Sequence, residues 1–96
     1  MQISKEEKLK MIGEAEELLA DLGFLQYRVR YHESLARIEL EVEDMQRFMD
    51  PALREKVVGR IKEIGFAFVS LDLEGYVSGS LNRMIKKQHT GAGIKE

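Results

Sequence analysis

The sequence predicts a small α+β sandwich in which helices cover one face of a mostly antiparallel three-stranded sheet. Three observations lead there: a capped segment of helical periodicity, two short stretches of strict apolar and charged alternation, and a second capped helix that runs into a β-rich apolar stretch. The element order is α-β-β-α-β, and the second face of the sheet is left wet or covered by a partner. A chain of 96 residues has room for one hydrophobic core. The expected organisation is a single domain over residues 1–82, followed by a loosely ordered, flexible basic tail over residues 83–96.

Each element has its own signal. Ser4 and Glu7 have the spacing of a capping box, and Leu9, Ile12, Ala15, Leu18, Leu19 and Leu22 recur at helical intervals until Gly23 offers a C-cap. This predicts a helix from about Lys5 to Leu22. Tyr27, Val29 and Tyr31 then alternate with Arg28, Arg30 and His32, and Ala36, Ile38, Leu40 and Val42 alternate with Arg37, Glu39 and Glu41. Two strands joined through His32-Glu33-Ser34 make a hairpin with one apolar and one charged face. Met45, Phe48 and Met49 form a short apolar set before Asp50-Pro51, a helix-start pair. Leu53, Val57, Val58, Ile61 and Ile64 carry the next helix to Gly65, and Ala67 to Leu73 reads as a third strand. Its near-continuous apolar stretch predicts the most buried strand, in the middle of the sheet. Residues 18–24 and 60–66 echo one another as helix, glycine cap and aromatic.

Composition narrows the function classes. Fifteen Lys and Arg against seventeen Asp and Glu give a formal charge of -2, which argues against a protein that coats nucleic acid or an anionic membrane. The absence of cysteine excludes a disulfide, a thiolate metal site and a cysteine nucleophile within this chain, and a reducing cytoplasm is the expected compartment. No apolar run approaches the roughly 18 residues a membrane span needs. His32 and His89 have no partner at metal-ligand spacing, and Gly75 to Ser80 lacks the Gly-Lys-Ser/Thr of a phosphate loop.

Arg28 and Arg30 stand two apart on one strand, so their side chains share a face, and Arg37 on the neighbouring strand can join them. Bidentate binding of a phosphate or carboxylate relieves the repulsion of such a trio. The competing reading is an ordinary salt-bridged face neutralised by Glu39 and Glu41. Glu14, Glu16, Glu17 and Asp21 make an acidic cluster that can hold a divalent cation, although a solvated helix face has the same pattern.

Arg28-Val29-Arg30-Tyr31-His32, Leu35-Ala36-Arg37-Ile38-Glu39, Gly65-Phe66, Ser70-Leu71-Asp72-Leu73-Glu74-Gly75-Tyr76 and Ser78-Gly79-Ser80-Leu81-Asn82 together resemble one pattern. It is the C-terminal part of the ATP-dependent sacrificial sulfur transferases, the LarE family of the PP-loop ATP-pyrophosphatase superfamily. The resemblance runs from about Glu6 to Asn82. It implies a non-catalytic accessory domain for substrate or anion recognition and oligomerisation, in the synthesis of a nickel-pincer cofactor. ATP and magnesium belong to a PP-loop ATP-pyrophosphatase domain, in cis or in trans, and no cofactor is expected in this chain itself. The Ser-Gly-Gly-x-Asp-Ser loop and the sulfur-donating cysteine of that family have no counterpart in this sequence.

Carried over position by position, the resemblance makes Arg28 and Arg30 the holders of a phosphate or carboxylate group and sets Glu16 at an acidic position near a metal. The family arginine after Gly-Tyr is replaced here by Val77, leaving Arg37 or Arg83 to complete an anion site. A homo-oligomer is expected, and neither nucleic acid nor membrane is expected as a partner. The alternative from another class is an independent small ligand-binding or regulatory α+β module.

Overall fold

A computed structural model describes residues 3–77 of the chain. The expected tail, 83–96, and the boundary at residue 82 lie outside the described residues. Helix α1 (Lys5–Asp21) begins at the full capping box, in which Ser4 Oγ accepts from Glu7 N–H and the Glu7 side chain accepts from Ser4 N–H. The hairpin follows as β1 (Tyr27–His32) and β2 (Leu35–Leu40), then α2 (Val42–Phe48), α3 (Pro51–Ile64) and β3 (Phe68–Leu71). Helix α3 starts where expected, with the Asp50 carboxylate accepting from Leu53 N–H and Pro51 in the first turn.

The α+β class holds, with three helices and a three-stranded sheet among the described residues. The sheet order is β1-β2-β3, with β1 antiparallel to β2 and β3 parallel to β2. The third strand is therefore an edge strand, and the expectation that it occupies the middle is corrected: β2 is central. Phe66 is buried, but Phe68 stays 63% exposed. The apolar run at 66–71 is divided between the core and the outer face rather than enclosed on both. The added helix α2 lies in the crossover from β2 to β3.

Register separates the faces of the sheet. Val29 pairs with Ile38, and Ile38 with Leu71, while Tyr31 pairs with Ala36, and Ala36 with Val69. These side chains line the inner face and pack against Ala15, Leu18 and Leu19 of α1 and Val57 and Ile61 of α3. Tyr31 and Phe66 meet with ring centroids 5.5 Å apart, and Phe24 and Phe48 at 5.9 Å. The latter contact ties α2 to the end of α1, where Arg47 also lies over the Phe24 ring. The outer face carries Arg28, Arg30, Arg37 and Glu39.

Candidate functional site

Strand alternation brings Arg28, Arg30 and Arg37 onto one face, as the sequence predicts, and the register sets Arg30 opposite Arg37 and Arg28 opposite Glu39. On a bare hairpin, two arginines directly across from each other repel. The repulsion is offset from beneath. Glu39 is only 2% exposed, and its Oε2 lies 3.6 Å from Arg30 Nε and 3.3 Å from Arg37 Nη1. Arg37 Nη1 also meets Asp72 Oδ2 at 2.5 Å. Two guanidinium groups, those of Arg30 and Arg37, thus share two carboxylates.

Glu39 is the residue the outer-face pattern understated. Its other oxygen, Oε1, is buried without a hydrogen-bond partner, and so is Arg30 Nε. A buried carboxylate held only by ion pairs and by no hydrogen bond to Oε1 is a costly arrangement, because its charge is stabilised by the arginines alone. Glu41, the other expected neutraliser, is exposed at the N-cap of α2 and makes no ion pair among the described residues. The salt-bridged reading of this face is therefore met in part, through Glu39 and Asp72 rather than Glu39 and Glu41.

Arg28 is the arginine of the three with no carboxylate at ion-pair distance among the described residues. Its Nη2 donates to Tyr76 Oη at 3.2 Å, and its guanidinium lies 5.3 Å from the Tyr76 ring centroid. Tyr76 is brought there by the turn after β3. Tyr76 N–H donates to Leu40 O at 2.6 Å, and Gly75 precedes it with φ 90°. A Cβ at position 75 would stand 3.0 Å from Leu40 O and 3.1 Å from Val42 Cγ2. Only glycine combines that left-handed backbone with so close an approach.

Arg28 and Arg30 also border a groove of 460 Å³ along the open edge of β1, with Ile12, Glu16, Tyr31 and His32. Glu16 Oε2 accepts the Val29 N–H at 3.1 Å, so the carboxylate closes a backbone donor of an edge strand. Among the described residues, no group of three or more His, Cys, Asp or Glu side chains could hold a metal ion. Glu16 by itself does not make a metal centre. Glu14, Glu17 and Asp21 face a different groove, of 410 Å³, between α1 and α3, where Lys56 and Arg60 stand opposite. Of the described residues, no helix is long and apolar enough to cross a membrane.

Sequence alternation could find the three arginines because it is local. It could not find Asp72 and Tyr76 as their partners, since these contacts span 35 and 48 residues. The charged position at the end of an apolar strand, Asp72, was the one available sign.

No protein-family model matches the chain. It is 47% identical over 81 residues to an uncharacterized protein of Synechocystis sp., a match covering 84% of this chain and 30% of that protein. It is 35% identical over 81 residues to the pyridinium-3,5-bisthiocarboxylic acid mononucleotide synthase of Lactiplantibacillus plantarum, covering 84% of this chain and 29% of the synthase. The chain thus spans less than a third of the length of these curated relatives. What the matches establish is a relation to LarE-like proteins over a partial region of them.

Proposed function

We propose that this chain is a non-catalytic accessory domain that recognises an anionic group of the substrate, phosphate or carboxylate, for an ATP-dependent sulfur transferase of the PP-loop superfamily. The observation that carries the reading is the gathering of Arg28, Arg30 and Arg37 on one sheet face, with Arg28 at ion-pair distance from no carboxylate among the described residues and aligned by Tyr76. Guanidinium forks on adjacent strands suit bidentate contact with phosphate or carboxylate. The relation to a synthase whose named product is a mononucleotide of a dicarboxylic acid derivative supports that ligand chemistry. Adenylation and sulfur donation fall to a PP-loop ATP-pyrophosphatase domain, in cis or in trans, because this chain has no cysteine and no phosphate-loop motif. ATP and magnesium act there. Self-association of the chain is part of the proposal, and exposed Phe68 and Leu73 are available to it.

The test has two arms. Inorganic phosphate titrated into the chain should produce saturable amide shifts at residues 28–31, in the millimolar range or tighter and weaker as salt rises. Arg28→Ala combined with Arg30→Ala should abolish them. Shifts that do not saturate, or that survive the double substitution, overturn the site. In the second arm, the chain is incubated with ATP, magnesium and the pyridinium dicarboxylate mononucleotide; AMP release by the chain alone would overturn the non-catalytic role.

A further inference from the structure

Glu39 presents a contradiction for an anion site. A carboxylate beneath three arginines lowers the positive potential that an anion needs, and burying it at 2% exposure is costly. Simple charge counting therefore makes Glu39 an obstacle to binding. The geometry indicates otherwise. Arg30 and Arg37 are direct cross-strand partners, so without a shared counter-ion their like charges drive both side chains apart. Arg37 has a second anchor in Asp72. Arg30 has none: Glu39 is its sole ion-pair partner among the described residues, and its side chain is 40% exposed.

Resting on the anion-recognition reading above, we infer that Glu39 is a positioning residue of that site. Its buried carboxylate draws Arg30 inward at Nε and Arg37 at Nη1 and holds the two guanidinium groups side by side, with Arg28 fixed separately by Tyr76. Both ion pairs run through Oε2, so a single oxygen serves as the hinge between the two arginines. The ligand class that fits is a multi-oxygen anion, a phosphate monoester above a halide, because several oriented forks discriminate by shape where a diffuse positive patch discriminates only by charge. Preorganisation of this kind reduces the ordering cost that a free arginine incurs at binding.

The experiment is a phosphate titration at constant ionic strength in chloride, followed by amide shifts at residues 28–31, on the unmodified chain, Glu39→Gln and Glu39→Asp. In parallel, the Arg30 Nε–Hε signal is followed for its order and exchange. With Glu39 as the positioning residue, Glu39→Gln binds phosphate about tenfold more weakly despite the loss of a negative charge, and the Arg30 side-chain signal broadens or averages to its free value. Glu39→Asp keeps the charge but withdraws the carboxylate by one methylene, and it should fall between the two. Phosphate binding in Glu39→Gln that is unchanged or tighter, or an Arg30 signal that stays ordered, overturns the inference while leaving the anion site intact. Absence of saturable binding in the unmodified chain overturns the site itself and the inference with it. Should Glu39→Gln fail to fold, shown by loss of the dispersed Val57 and Ile61 signals, Glu39→Asp decides: weaker binding on an intact fold supports the role, and unchanged binding overturns it.

Discussion

The two faces of the sheet solve opposite problems with the same three strands. On the inner face, Val29, Ala36 and Ile38 are sealed beneath α1 and α3, and complementarity of shape holds them. On the outer face, Arg30, Arg37, Glu39 and Asp72 are held by charge and Arg28 by Tyr76, with the arginines part-exposed and the carboxylates nearly covered. The inner face determines whether the domain folds, and the outer face determines what it can recognise. Central strand β2 belongs fully to both, since Ile38 and Glu39 are adjacent and both are buried.

The contrast breaks first at Ile38. Ile38→Ala opens a cavity at a fully buried position and should lower stability by roughly 2–5 kcal/mol, read as a drop in the denaturant midpoint. Next in size is Gly75→Ala, which meets Leu40 O and a left-handed backbone. It should cost about 1–3 kcal/mol and displace Tyr76 from Arg28, an effect seen in the tyrosine ring shifts; a variant as stable as the parent would remove the turn from the site's construction. Glu16→Ala leaves the Val29 N–H without its acceptor. It should cost about 1 kcal/mol and speed hydrogen exchange at that one amide on the β1 edge. Smallest, and opposite in sign, is the hairpin turn. Glu33 and Ser34 both adopt positive φ, 45° and 71°, a conformation that suits Asn-Gly far better. Glu33→Asn with Ser34→Gly should raise stability by about 0.5–1 kcal/mol in thermal unfolding, with no effect on phosphate shifts.

The parts of this molecule that were legible in its sequence are those with local causes. Ser4 with Glu7, Asp50 with Pro51 and the alternation of residues 27–32 and 35–40 each act within a few residues, so each predicted its element. Helix α2 was missed because Glu41 makes no side-chain cap bond and seven residues show too little periodicity. The position of β3 was misread for a subtler reason. Apolar continuity predicts burial on both faces, yet Phe68 projects outward. Conversely, β2 alternates like a half-wet strand and is nonetheless central, since Glu39 is covered by the arginines it pairs with. Within the site, the arginine trio was legible and its framework of Asp72 and Tyr76 was not, because both arrive from the far end of the chain.

The late position of β3 in the chain also bears on motion. Strands β1 and β2 close through two residues, whereas β3 reaches its place beside β2 only after the two-helix crossover. It is a four-residue edge strand, and local opening of such an edge takes less free energy than global unfolding. Asp72 follows this strand directly and its N–H donates to Ile38 O, so each opening also takes from Arg37 one of its two carboxylate partners, leaving Glu39 alone. By linkage, a ligand that requires Arg37 in place must close the strand as well. Phosphate bound at the arginines should therefore slow hydrogen exchange at Val69 to Leu71, so that the far edge of the sheet reports occupancy of a site on its surface.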